Sequence, residues 1–174
     1  MDVKKFIKGI VPYAFIVVFV ILFRTFIATP VVVDGPSMDP TLKNGQLLIL
    51  NKIPIKHKRF EIVVVKKNIN GKKERLVKRI IGMPGESVEY KHRKLYINGV
   101  KVKDKFAKNT ERFIMSDVYD KKKIPNDYYF VMGDNRDVSL DSRDPLVGFI
   151  SEDEIVGNAV FRIWPFNKLG TLGK

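Results

Sequence analysis

The sequence contains no cysteine and only two histidines. The absence of cysteine excludes disulfides, thiol catalysis, thiolate zinc sites and iron–sulfur clusters. His57 and His92 each lie inside a run of lysine and arginine residues. Neighbouring cations lower the affinity of an imidazole for a proton, so neither histidine is a good candidate for the base of a catalytic triad.

Acidic residues are also few, with 19 Asp and Glu against 32 Lys and Arg, which gives a net charge of +13. This excess predicts anionic partners. The 174 residues are enough for one modest domain with a short appendage. Because 45% of the residues are hydrophobic, the chain is not a disordered basic tail.

A long apolar segment lies near the start of the chain. Residues 9–23 carry no charge, and the apolar character extends over residues 6–28. A helix of this length is about 34 Å long, which is enough to span a bilayer core of roughly 30 Å. A cleaved signal sequence and a buried soluble helix are the alternatives. A cleavage site after Ala28 places Phe26, a large residue, at the minus-three position. We therefore predict a single transmembrane anchor at 6–28.

The charges around this segment predict its orientation. Three lysines lie on its N-terminal side: Lys4, Lys5 and Lys8. No basic residue lies between Arg24 and Lys43. The positive-inside rule then places residues 1–5 in the cytoplasm and residues 29–174 on the extracytoplasmic side of the cell membrane.

After the anchor, short β-branched and aromatic runs alternate with turn residues. The predicted strands are 31–33, 46–50, 62–65, 76–81, 95–97, 128–132 and 159–164. Asn70-Gly71 and Asn98-Gly99 predict tight hairpins. No sustained 3.6-residue period follows Ala28, so we expect a mainly β domain, all-β after the anchor, as an open barrel or sandwich. The polar stretch 101–123 predicts a mobile loop or small subdomain.

Three loops carry residues that folding alone does not require. In the first, Gly35 and Pro36 precede Ser37, a backbone that can present a nucleophile; an ordinary turn is the alternative. In the second, strand alternation separates Lys78 from Arg79, so one of these cations faces an apolar side of the sheet. Burial lowers the pKa of a lysine until its neutral amine is a base, unless both cations reach water.

The third loop, 133–144, is dense in hydrogen-bonding groups. Its spacing from Asp137 to Asp141 suggests a calcium loop, but Ser142 replaces the sixth-position glycine and Gly148 the twelfth-position glutamate. We therefore predict no metal and no cofactor. A polar loop that satisfies its own hydrogen bonds is the simplest alternative.

A serine paired with a lysine is an alternative to the catalytic triad. The motifs Ser-Met-x-Pro-Thr-Leu at 37–42, Lys-Arg-Ile-x-Gly-x-Pro-Gly at 78–85 and Gly-Asp-Asn-Arg-x-x-Ser-x-Asp-Ser-Arg at 133–143 follow one anchor. In order, type and spacing they resemble those of bacterial type I signal peptidases, in the small single-anchor form of Gram-positive bacteria. The resemblance extends from the anchor to about Gly157.

This resemblance implies that Ser37 is the nucleophile and Lys78 the general base. It implies that Ser139 hydrogen-bonds the Lys78 amine, and that Asp141 and Arg143 form a supporting ion pair. The implied substrates are signal-peptide-bearing preproteins, cleaved after small residues of the Ala-x-Ala type.

The resemblance also implies that Gly133 keeps space free beside the serine and lysine. The implied pocket residues are Val31, Val33, Gly35, Met38, Leu42, Leu76 and Val77. Gly35 is a departure, because some relatives have there a serine whose hydroxyl donates to the oxyanion. Pro36 has no N–H, so the oxyanion hole depends on the Ser37 N–H, and a lost donor costs about 10² to 10³ in rate. Residues 44–46 and 59–61 also depart from the family pattern, and we expect only structural effects there.

Two other functions fit parts of the sequence. A non-enzymatic anchored β-domain could bind anionic wall polymer or lipid through its basic runs. A self-cleaving Ser-Lys protein of the phage-repressor type normally has a DNA-binding segment, and no helix-turn-helix pattern is visible. We expect a monomer that contacts the anionic leaflet of the bilayer, where each basic group adds about 1 kcal/mol of attraction, and that binds no nucleic acid.

Overall fold

A computed structural model describes residues 3–53, 56–106 and 110–172. Helix α1 (Val3–Phe26) contains the apolar segment, and its window Gly9–Phe26 has a mean hydropathy of 2.1 and is wholly exposed. This helix is long and apolar enough to cross a membrane. Residues 1 and 2 of the predicted cytoplasmic segment lie outside the described residues.

The helix ends two residues before the predicted end of the anchor. Ala28 already belongs to a strand and pairs with Asn51. The pairing of Ala28 with the neighbouring strand ends the helix here, and Pro30 prevents any continuation, because proline disfavours helical backbone in the preceding residue. Thr29 is that residue, and its Oγ1 donates to the Arg24 carbonyl at 2.6 Å.

Twelve strands follow in the described residues. They are β1 (Ala28–Val32), β2 (Leu47–Asn51), β3 (Ile62–Ile69), β4 (Lys72–Gly82), β5 (Val88–Lys91), β6 (Lys94–Ile97), β7 (Val100–Val102), β8 (Phe113–Ile114), β9 (Tyr128–Met132), β10 (Ile150–Ser151), β11 (Ile155–Trp164) and β12 (Gly170–Thr171). The short helix α2 spans Met115–Val118.

The strands form two antiparallel sheets. The large sheet has the order β1-β2-β11-β3-β4-β9-β10, with β12 beside β11, and the small sheet has the order β7-β6-β5-β8. The mainly β prediction is confirmed. Each of the seven predicted strands overlaps a strand of the structure.

Both predicted hairpins are also confirmed. They join β3 to β4 and β6 to β7, and their Asn-Gly residues have φ between 51° and 81°, as a tight turn requires. The predicted loop at 101–123 contributes β8, α2 and the end of β7. Residues 107–109 within it lie outside the described part of the chain.

The large sheet is buried on both faces around β3 and β4. Val64 and Val77 pack in one hydrophobic cluster with Leu48. Val63 and Ile80 pack in a second cluster on the opposite face. A side chain in this part of β4 is therefore enclosed whichever way it points.

Candidate active site

The side chains of Ser37 and Lys78 meet at the end of the first loop. Lys78 lies in β4, opposite Val63 of β3, and its Nζ is 2.9 Å from Ser37 Oγ. The side chain of Met38, next to the serine, is completely buried in the cluster below. This packing holds the loop against the sheet, so Ser37 stays within hydrogen-bond distance of the amine.

The environment of Lys78 stabilises the neutral amine relative to a lysine in water. The residue is only 3% exposed, and this burial is the main reason that the pKa of Lys78 falls from 10.5 to about 8. Asp141 opposes the effect by raising the pKa, and Arg143 adds to it by lowering the pKa. A lysine in this state can accept a proton close to neutral pH.

Residues of the third loop surround this pair. Asp141 is fully buried and accepts hydrogen bonds from the Gly133 N–H at 3.0 Å and from Arg143 Nε at 2.8 Å. The Asn135 N–H donates to the Ser37 carbonyl at 3.0 Å. The first and third loops are therefore connected directly, and the implied Asp141–Arg143 ion pair is present.

Gly133 lies at a close approach of the first and third loops. A Cβ atom at this position overlaps both the Ser37 carbonyl oxygen and Ser139 Oγ. No side chain fits there without a shift of one of the two loops.

The hydrogen bond expected from Ser139 to Lys78 is absent. Ser139 Oγ is buried and has no hydrogen-bond partner, whereas the Lys78 amine is bonded to Ser37. The hydroxyl lies against Gly133, in the space that the missing side chain leaves. The expectation that Ser139 orients the amine through a direct bond is therefore wrong for this conformation.

Sequence alternation predicted that one of Lys78 and Arg79 faces an apolar side, and both are in fact buried. The Arg79 guanidinium is compensated by Asp134, through contacts of 2.8 and 2.6 Å, and by the Phe60 carbonyl at 2.6 Å. The ring of Phe106 covers it, with the guanidinium carbon 3.5 Å from the ring centre. A buried cation of this kind is tolerated only because it is paired.

Sequence reasoning missed Asp134 as this partner. Asp134 follows Gly133, two residues beyond Met132, the residue that pairs with Arg79 across the sheet. An acidic residue two positions after the end of a strand that neighbours a buried arginine is the available signal. The strand order that makes β4 and β9 neighbours is not visible in the sequence.

A second buried arginine joins the third loop to the small sheet. Arg136 donates to the Gly133 carbonyl at 2.8 Å, to Tyr90 Oη at 2.6 Å and to Asp104 Oδ2 at 2.8 Å. Thr110 accepts a fourth bond at 3.0 Å. The small sheet therefore contributes to holding the loop that surrounds Lys78.

The predicted pocket residues do not all lie together. Those that pack in one cluster on the same side of the sheet are Val31, Val33, Met38, Leu42 and Val77. Leu76 packs in the cluster on the opposite face, because β4 alternates. Met38 and Leu42 are fully buried, so they form a floor below the first loop.

Asn44, expected to have only a structural effect, contacts the first loop. Its Oδ1 accepts a hydrogen bond from the Gly35 N–H at 3.0 Å, and Gly35 has a φ of 83°, which favours glycine. This bond occupies the N–H of Gly35. Within the described residues, the Ser37 N–H donates to no protein group.

Comparisons with known proteins agree on one family. The model of the family described as "Signal peptidase, peptidase S26" matches residues 4–164. "Signal peptidase I" of Bacillus amyloliquefaciens is 42% identical over 88% of this chain and 85% of its own length. "Signal peptidase IB" of Staphylococcus aureus is 40% identical over 95% of this chain and 93% of its own length.

The crystal structure of a signal peptidase I from Enterococcus faecalis V583 is also similar. It is 34% identical, has a TM-score of 0.52, and covers 60% of this chain and 97% of its own. These relatives and the apolar N-terminal helix indicate a membrane-anchored serine peptidase that cleaves signal peptides. The chain belongs to the signal peptidase family, peptidase S26.

Proposed function

We propose that Ser37 is the nucleophile and Lys78 the general base of this peptidase. The observation that carries the proposal is the 2.9 Å contact between a buried amine and the serine hydroxyl. In the neutral state, Lys78 takes the hydroxyl proton while Ser37 Oγ attacks the scissile carbonyl. The resulting ammonium gives that proton to the leaving amine, and an ester to Ser37 remains.

Hydrolysis of this ester repeats the same proton transfer with water as the nucleophile. Lys78 takes a proton from water, and the ammonium returns it to Ser37 Oγ as the ester bond breaks. The Ser37 N–H stabilises the oxyanion in both steps, because Pro36 has no N–H and the Gly35 N–H is held by Asn44.

The substrates proposed are preproteins with small residues at minus three and minus one, of the Ala-x-Ala type. The apolar floor supports this choice, since Met38 and Leu42 have no exposed surface and Val33 has 2%. A closely packed floor of this kind leaves little room for a large substrate side chain, which is then rejected by steric overlap.

We propose the membrane topology that the charges predict. Residues 1–5 lie in the cytoplasm, residues 6–28 form the anchor that crosses the bilayer, and residues 29–174 form the extracytoplasmic peptidase domain of a monomer. The lysines before the apolar segment support this orientation. The net charge of +13 supports contact with an anionic leaflet.

The proposal is tested with the full chain in detergent and a precursor that carries an Ala-x-Ala site. Ser37→Ala and Lys78→Ala are each expected to reduce cleavage at least 10³-fold, since removal of a catalytic pair member has effects of this order. Exposed residues provide matched controls, Ser116→Ala and Lys72→Ala, which are expected to retain full activity. Wild-type rates in either active-site variant contradict the proposed roles.

A further inference from the structure

A concave surface lies outside the site described above and has both apolar and basic walls. We call it the Phe60–Phe106 pocket; its volume is about 410 Å³. It is lined by Lys58, Arg59, Phe60, Glu61, Lys103, Lys105 and Phe106. The two aromatic rings lie 5.6 Å apart at their centres and form its floor.

Three of the four cations of the pocket are available for a ligand. Lys58, Lys103 and Lys105 are exposed, and no carboxylate of the described residues forms an ion pair with them. Arg59 is occupied, because it bonds Glu86 at 2.6 Å and the Ile81 carbonyl.

The one carboxylate in the pocket lining, that of Glu61, accepts hydrogen bonds from neighbouring protein groups. Glu61 Oε2 accepts hydrogen bonds from the Lys58 N–H at 3.0 Å and from Asn158 Nδ2 at 2.8 Å. These donors are neutral, and the three exposed lysines outnumber this one carboxylate around the aromatic floor. A ligand that fits both parts has an anionic head and an apolar body.

The pocket lies near the end of the membrane-crossing helix. Lys52 forms two hydrogen bonds to the end of that segment. Its backbone N–H donates to the Ile27 carbonyl at 2.9 Å, and its Nζ donates to the Thr25 carbonyl at 3.2 Å. The neighbouring Asn51 pairs with Asn158 across the sheet, and Asn158 bonds Glu61 of the pocket lining.

The distance follows from the strand order. From β1, which starts at the helix, to β3, which starts at the pocket, there are three steps in the sheet, or about 14 Å at 4.8 Å per strand. In the proposed topology, lipid headgroups therefore lie within reach of the long lysine side chains of the pocket.

The backbone at the pocket floor is strained. Phe60 has a φ of 69°, a region that is costly for a large side chain. In this conformation its carbonyl accepts a hydrogen bond from Arg79, while Phe106 covers the same guanidinium from the other side. The floor is thus fixed by the buried ion pair next to Lys78, so the pocket is preformed.

We propose that the Phe60–Phe106 pocket binds one anionic phospholipid of the outer leaflet. The lysines bind its phosphate, and the proximal part of an acyl chain lies on the two rings. This inference rests on the proposed membrane topology. A bound lipid holds the domain at a fixed orientation against the leaflet, because the pocket and the helix end are two separate points of attachment.

Native mass spectrometry of the detergent-solubilised full chain tests the proposal with phosphatidylglycerol as the probe and phosphatidylcholine as the neutral comparison. The triple variant Lys58→Gln, Lys103→Gln, Lys105→Gln is expected to bind phosphatidylglycerol about 100-fold more weakly, given about fivefold for each lysine. The matched control removes three charges from the exposed start of β4: Lys72→Gln, Lys73→Gln and Arg75→Gln. It is expected to bind like wild type.

Equal loss in both triple variants overturns the proposal, because attraction to the overall charge then explains the binding. The proposal is also overturned if the wild-type chain binds phosphatidylcholine as tightly as phosphatidylglycerol. Displacement of the lipid by an equal concentration of glycerol 3-phosphate excludes a role for the aromatic floor and overturns the amphiphile assignment. Precursor cleavage by the wild-type chain in the same detergent reports separately on the proposed peptidase.

Discussion

In the proposed mechanism, the pH dependence of cleavage follows the protonation of one buried amine, that of Lys78. In this mechanism only neutral Lys78 takes the Ser37 proton, and burial lowers the pKa of Lys78 to about 8. The neutral fraction is then about one half at pH 8, about one tenth at pH 7 and about one hundredth at pH 6. We therefore expect kcat/KM to rise about tenfold between pH 6 and pH 7, less steeply above that, and to level off above about pH 9.

The assay is cleavage of a neutral peptide substrate, with kcat/KM measured from pH 6 to 9.5. Arg143→Gln is the diagnostic variant. It removes a charge that lowers the pKa of Lys78 and leaves Asp141, which raises that pKa, without its ion-pair partner. Both effects move the midpoint to higher pH. A flat wild-type profile, or a midpoint that moves to lower pH in this variant, refutes the assignment of Lys78 as the base.

Two further substitutions test the packing around Ser37 and Lys78. Gly133→Ala is expected to lower kcat about 10²-fold, because its Cβ overlaps the Ser37 carbonyl oxygen and Ser139 Oγ. Gly9→Ala, where the added Cβ contacts nothing, is the control in the same kinetic assay. An unchanged kcat for Gly133→Ala contradicts the proposed packing. Asp134→Asn leaves the fully buried Arg79 without its counter-charge and is expected to cost about 3–5 kcal/mol of unfolding free energy. In urea denaturation, the exposed Asp153→Asn should change stability by less than about 0.5 kcal/mol, and a comparably small change for Asp134→Asn argues against the role of the ion pair.

Local sequence signals predicted much of the fold. The Asn-Gly pairs required positive φ at both residues, and both hairpins are present. The run Ile62–Val65 is apolar without alternation because both faces of β3 are covered. In contrast, strands of two to four residues such as β5, β8 and β10 were missed, because so few residues contain no readable period.

The sequence motifs predicted that Ser37 and Lys78 act together, and the structure brings their side chains within 2.9 Å of each other. Their supporting contacts were less accessible. Asp134 and Arg79 are separated by 55 positions in the chain, and only the pairing of β4 with β9 brings them together. The lack of a direct bond from Ser139 to the amine is a matter of side-chain direction within a loop, which residue spacing does not determine.

The junction between helix and sheet limits how the protease can work. Only Ile27 separates α1 from β1, and Lys52 clamps the C-terminal turn of the helix to the neighbouring strand. A domain attached in this way has no flexible linker with which to search for substrates at different distances from the lipid. In the proposed topology, the proposed nucleophile Ser37 lies at one height above the bilayer, so the length of a signal peptide's membrane-embedded part decides whether its cleavage site reaches the serine.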